Sequence, residues 1–122
     1  MAEYYLDDDW NLVKAPATNA EISGWANSFQ QKYFPGCEPN VTITVNVNPK
    51  FGGAAAFDPT TMTIHVAERV TPLESLAKIC LLHEMIHVKL YMENKDADEA
   101  HGPRFKAEIK RLQQAGAYDN LL

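Results

Sequence analysis

Cysteine is scarce in this 122-residue chain. There are two, Cys37 and Cys80, and neither belongs to a C-x-x-C pair. That excludes a disulfide-stapled scaffold and a cysteine-built zinc ribbon, and it fits a reducing, cytoplasmic setting. No run of 18 apolar residues occurs, so no membrane-spanning helix and no membrane partner are expected. The opening stretch, Met1-Ala2-Glu3-Tyr4-Tyr5-Leu6-Asp7-Asp8-Asp9, lacks the basic start and apolar run of a secretory signal. Positive charge is short as well: 11 Lys and Arg face 16 Asp and Glu, a formal net charge of −5, which opposes a broad phosphate-binding surface. Internal repeats, linkers and low-complexity segments are missing too. What is present is a 46% hydrophobic composition, enough for one small core. The expectation is a single, monomeric domain over residues 1–122, with residues 1–16 as an N-terminal extension.

Local signals place the elements. Thr18-Asn19-Ala20-Glu21 reads as a capping box that opens a helix with Ile22, Trp25, Ala26, Phe29 and Tyr33 on its apolar face. Pro35-Gly36 ends that helix, and Cys37 in the following turn is expected as a surface or half-buried thiol. Residues 41–47 alternate as a half-buried strand, and Asn48-Pro49 turns the chain. Residues 53–57 and 62–67 read as two more strands joined by Asp58-Pro59-Thr60-Thr61. Thr71-Pro72-Leu73-Glu74 matches a second capping box, opening a helix over roughly 72–92. A last helix is expected over 103–115, with Phe105, Ile109 and Leu112 inward and Gly116 as its stop. Helices covering one side of a small sheet define an α+β layout.

The chemistry is concentrated in the second helix. His83-Glu84-Met85-Ile86-His87 reads H-E-x-x-H, the pattern of zinc peptidases. Histidines at i and i+4 project from one helical face, where two imidazoles reach a single Zn²⁺. Glu84 follows the first of them directly, where a carboxylate can take a proton from attacking water without ligating the ion. The competing reading is a chance match with two satisfied core histidines. A chance match need not lie on a helix, however, and here Leu73, Leu76, Ile79, Cys80, His83, Ile86, His87 and Leu90 recur at helical steps. Two imidazoles on such an apolar face need partners, and a metal supplies both. Cys80, one turn before His83, is expected as a small buried core residue.

A catalytic zinc usually keeps three protein ligands. The extended pattern with a third histidine six residues on is missing: Leu90 and Glu93 stand where its glycine and histidine would be. His101, followed by Gly102 and Pro103 at a helix start, is one candidate for the third ligand, and Glu108 on the last helix is the other. Asp96, Asp98 and Glu99 read as a solvated acidic loop. His65 shares a strand face with Thr63 and Ala67. It is either a polar-face residue or a contact near the cleft, and the 53–67 hairpin is a candidate edge for pairing with an extended peptide.

Together, His83-Glu84-Met85-Ile86-His87 and His101-Gly102-Pro103-Arg104-Phe105 resemble the H-E-x-x-H and H-G-x-x-F motifs of SprT-like zinc metallopeptidase domains, the family that includes Spartan-type DNA–protein crosslink proteases. Residues 29–34 resemble the opening helix of such domains, and residues 51–66 the hairpin before the active-site helix, so the likeness runs from about Ala17 to Ala117. It implies a zincin-like fold, Zn²⁺ as cofactor, His83, His87 and His101 as metal ligands, and Glu84 as the catalytic carboxylate. The chain departs from many family members in having no C-terminal zinc ribbon.

The expected function is hydrolysis of peptide bonds in a protein or peptide substrate, with DNA-associated proteins among the candidates. The alternatives are a narrowly specific peptidase-like module, with Glu108 as third ligand, and a non-catalytic zinc-binding module. Tyr118, Arg104 and His65 are candidates to stabilise the oxyanion. Arg104, Lys106, Lys110 and Arg111 put positive charge on the last helix, either as a solvated face or as a site for weak DNA association.

Overall fold

A computed structural model of the protein describes residues 4–6, 9–10, 12–14, 17–36, 41–48, 50–93 and 101–121. Cys37, Pro49, Asp96, Asp98 and Glu99 lie outside them. A two-stranded antiparallel hairpin, β1 (Tyr4–Leu6) and β2 (Leu12–Lys14), occupies the stretch expected as a featureless extension. Three-residue strands are too short to show an alternation, so periodicity could not reveal them.

Helix α1 (Asn19–Tyr33) starts as its sequence dictates. The Thr18 hydroxyl accepts from the Glu21 N–H at 3.2 Å, and the Glu21 carboxylate accepts from the Thr18 N–H at 3.3 Å. The Asn19 side chain then accepts from the Val45 N–H at 2.8 Å, tying the start of α1 to the sheet. Ile22 is fully buried, while Trp25, Ala26, Phe29 and Tyr33 pack part-buried against the core.

The three strands that follow are β3 (Thr42–Asn46), β4 (Ala55–Asp58) and β5 (Thr63–Ala67), in spatial order β3-β5-β4. β4 and β5 form an antiparallel hairpin with Phe57 opposite Ile64. β3 runs parallel to β5 with Ile43 opposite Ile64 and Val45 opposite Val66. This register aligns Ile43, Ile64 and Val66 on the buried face, where they join Ile22 of α1 and Leu81, Leu82 and Ile86 in one core. β4 starts two residues later than expected because the carbonyls before it are taken. Arg69 donates to Gly53 O at 2.6 Å and to Phe51 O at 3.0 Å.

Helix α2 runs Glu74–Met92, not from Pro72. The Thr71 hydroxyl does not cap it. It donates back to Glu68 O at 2.7 Å and closes the short 3-10 turn Glu68–Val70, so the expected capping box is spent on the preceding turn. Thr71 O also accepts from the Ala17 N–H at 3.2 Å, which fixes the residue in the interior. The buried side of α2 differs from expectation as well. Ala77, Leu81, Leu82, Met85, Ile86, Val88 and Leu90 are buried, whereas Leu73 and Leu76 are exposed. A helix buried nearly all round in its middle turns contains more than one apolar stripe, and periodicity alone cannot rank them. Each fully buried leucine or isoleucine here is worth about 1.5–3 kcal/mol, so α2 is the most firmly held element of the domain.

Helix α3 (Pro103–Ala115) matches its expected span, with Pro103 in its first turn. At its end Gly116 takes φ 85°, and the Ala117 N–H reaches back to Leu112 O at 2.9 Å. The positive φ is what favours glycine at this stop; the Asp119 carboxylate, 2.9 Å from where a Cβ would stand, is an exposed side-chain end that can move aside. Phe105 and Leu112 are buried and Ile109 packs beside them, docking α3 onto α2. No helix among the described residues is long and apolar enough to cross a membrane.

Candidate metal centre

His83 and His87 sit one turn apart on α2, and His101 lies in the turn leading into α3. The docking of α3 brings His101 Nε2 to 3.2 Å from His83 Nε2 and 3.0 Å from His87 Nε2. All candidate ligand atoms of the three fall within 4.8 Å of one another. A neutral imidazole nitrogen either donates one hydrogen or accepts, so a single hydrogen bond cannot satisfy both contacts of His101 at once. A metal ion satisfies all three lone pairs. For an ion about 2.0–2.1 Å from each nitrogen in tetrahedral array, neighbouring nitrogens stand ~3.3 Å apart, so the observed spacing fits a divalent ion. Burial, with the neighbouring His87 and His101, lowers the His83 pKa to about 4. The imidazole is therefore neutral near pH 7, as ligation requires.

Phe105 supports this corner. Its ring centroid is 4.8 Å from that of His83, 4.7 Å from that of His87 and 4.8 Å from that of His101. It is 2% exposed, so the three imidazoles rest on a fixed aromatic face. The reading of the sequence placed Phe105 inward without giving it this contact. Its position four residues after His101 was the available signal.

Glu84 is 6% exposed and lines the same cleft as the three histidines. The cleft is open, about 540 Å³, and its far wall is Ala54–Phe57 of β4. Cys80 belongs to this lining and is half-buried, so it is a cleft residue and not the core residue expected. Burial, aided by the Glu84 charge, raises the Cys80 pKa and keeps it a thiol. A smaller cavity of about 60 Å³ lies between α1, β3 and α2; it has room for a few waters and no peptide segment.

Glu108 is not part of the cluster. One carboxylate oxygen accepts from Lys89 at 2.5 Å and the other from Arg111 at 2.7 Å, so both are committed. Burial alone would raise its pKa; the two hydrogen bonds outweigh that and lower it. Arg111 also donates to Tyr33 O at 2.7 Å and stacks over Phe34, which joins the end of α1 to α3. The expected basic cluster is therefore divided. Arg111 is part of this internal knot, whereas Arg104, Lys106 and Lys110 are exposed.

None of Tyr118, Arg104 and His65 lines the cleft. Tyr118 packs part-buried against the core, where burial raises its pKa. His65 pairs across the sheet with Ala56 and Thr44, on the face opposite Ile64 and Val66. It is half-buried, and its Nδ1 has no hydrogen-bond partner among the described residues.

Fold and cluster together define a metallopeptidase-type α+β domain. Among solved structures it is similar to the crystal structure of the metallopeptidase zymogen jannalysin from Methanocaldococcus jannaschii. That structure superposes with a TM-score of 0.50 at 25% identity, over 73% of this chain and 78% of that one. Residues 22–121 match the SprT-like family, and the chain belongs to it. A 37-residue stretch is 49% identical to the DNA-dependent metalloprotease dvc-1 of Caenorhabditis elegans; it covers 30% of this chain and 10% of that protein.

Proposed function

We propose that the protein is a zinc-dependent endopeptidase of the H-E-x-x-H type, with His83, His87 and His101 holding the ion and Glu84 as the catalytic carboxylate. The observation that carries this reading is the convergence of three imidazole nitrogens, at 3.0 and 3.2 Å, in a cleft that also contains a buried glutamate. Membership of the SprT-like family and the metalloprotease relatives support it. A bound Zn²⁺ supplies acidification of water and polarisation of the scissile carbonyl.

The chain's own residues do the rest. Glu84 takes a proton from the attacking water and later delivers it to the leaving amine. β4 is an edge strand whose residues form the cleft wall, and it offers backbone groups to an extended peptide. The peptide is thereby laid across the histidine corner with its backbone ordered before the reaction.

The dvc-1 likeness adds DNA-associated proteins as candidate substrates. Arg104, Lys106 and Lys110 are exposed on α3 in a chain of net charge −5, so DNA association would be weak and fall steeply with salt. The reading is tested with Glu84→Gln. The variant should retain one zinc per chain and lose about 10²–10⁴-fold in kcat, the range for removing a general base. Normal cleavage by a zinc-loaded Glu84→Gln protein removes Glu84 from the mechanism.

A further inference from the structure

The walls of the cleft carry information about what passes through it. α2 turns His87, His83 and Cys80 toward the cleft, and the same three- and four-residue steps carry this stripe on to Leu76, one turn past the cleft lining. Beyond His83 this stripe bears no charge. Ile79 and Cys80 line the cleft, Leu76 is 40% exposed, and Leu73 just before the helix is 56% exposed. Opposite them stand Ala54, Ala55 and Ala56, small side chains that leave the space over the stripe open. Exposed leucines continuous with a metal cleft are an apolar patch at a site where a partner must lie.

The direction of β4 decides which part of a peptide meets this patch. Its start lies beside the segment that feeds α2, because Ala54 O accepts from the Ala67 N–H and Gly53 O from Arg69. At its other end Phe57 meets Tyr91 in the last turn of α2, edge-on at 5.8 Å. β4 and α2 therefore run in the same sense. A peptide added antiparallel to β4 travels from the Tyr91 end toward the Leu76 end, so the residues after the scissile bond cross the stripe. Helix rise puts Leu76 about 10 Å from His83, and an extended peptide advances ~3.3 Å per residue, so the stripe spans about three residues.

We infer that this stripe sets specificity: the cleft takes an extended peptide carrying an apolar side chain within three residues on the C-terminal side of the scissile bond. The inference rests on the peptidase reading above. It is tested by binding and by cleavage. Short Ala/Ser peptides with a single variable position, scanned across the sequence, are titrated by fluorescence anisotropy against zinc-loaded Glu84→Gln protein. A leucine at the favoured position should bind about tenfold tighter than serine or aspartate, a partial burial of one leucine side chain. Leu76→Lys should reverse the ranking of leucine and aspartate. Leu76→Ser should flatten it, which covers the case in which the lysine variant fails to fold. Equal binding of all peptides, or an unchanged ranking in both folded Leu76 variants, overturns the inference. Incubating the wild-type enzyme with the same peptides separates the two readings. A leucine preference in binding without any cleavage keeps the stripe and discards the peptidase; cleavage without a leucine preference does the reverse.

Discussion

Two polar clusters lie side by side where α3 docks on α2, and they are built on opposite principles. In the first, Lys89, Glu108 and Arg111 satisfy one another: each carboxylate oxygen has a cation, and Arg111 has a backbone carbonyl besides. In the second, three imidazoles turn their nitrogens toward one point and cannot all be satisfied among themselves. Every charge of the knot has an opposite charge within the protein, and only Arg111 Nη2 lacks a hydrogen-bond partner among the described residues; the histidine corner instead offers its nitrogens to one point, where an ion could sit. Two residues of sequence separate His87 from Lys89, and seven separate His101 from Glu108. Proximity in the chain therefore says little about which cluster a residue joins, and satisfaction of its polar atoms says a great deal.

The contrast can be broken from either side. His101→Ala should weaken zinc binding by more than about 100-fold, beyond what changes around a metal site typically cost, while the metal-free fold stays intact. Glu108→Ala should do the opposite. It strands two cations, one of them well solvated, and should cost about 1–3 kcal/mol in urea denaturation with zinc stoichiometry unchanged. Zinc loss in the Glu108 variant and not in the His101 variant would invert the assignment. The crossed pair is read by metal analysis and denaturation on the same preparations.

Phe105 belongs to the core and to the corner together, so its substitution sharpens the comparison. Phe105→Leu keeps an apolar side chain and should cost ~1 kcal/mol of stability. It also removes the aromatic face beneath the three rings, and zinc affinity should fall about 10-fold, at the low end for residues that orient metal ligands. A competition titration with a chelator measures this. Unchanged affinity would reduce Phe105 to a core residue.

The smallest effect is the pH response of the knot. The Glu108 pKa is lowered in the folded protein, so its contribution is present above the ordinary carboxylate range and is lost as pH falls through the folded value. The Lys89 pKa is raised: burial lowers it, and the hydrogen bonds it donates to Glu108 and Glu93 more than offset that. Its contribution is present below the ordinary lysine value and is lost as pH rises through the folded one. The knot therefore stabilises fully across neutral pH and weakens at both extremes. The difference in stability between wild type and Glu108→Ala, followed from acid to alkaline pH, should be largest near neutrality. A difference that grows toward acid would show that the Glu108 carboxylate is not held by its cations.

Much of the domain was legible because its signals are local. The Thr18–Glu21 box, Pro103 at the start of α3 and Gly116 at its stop act within a few residues, and each is realised as written. Thr71–Glu74 shows where that reasoning fails, since the same pattern had two possible uses and the preceding 3-10 turn claimed the hydroxyl. The stripe of α2 was misjudged for a related reason. Its middle turns are apolar almost all round, so only neighbours can say which side is core and which side is cleft.

By itself the sequence determined the helices, the three-stranded sheet and the ends of α1 and α3, and it put two histidines and a glutamate on one helix, because helical geometry converts spacing into direction. The packing of α3 against α2 decided what remained. It brought His101 to the pair and held Glu108 back, while Cys80 was left at the cleft and Leu76 at the surface. Residues 14 and 18 apart along the chain meet only through the path between them and the core that orients it, and no local rule carries that information.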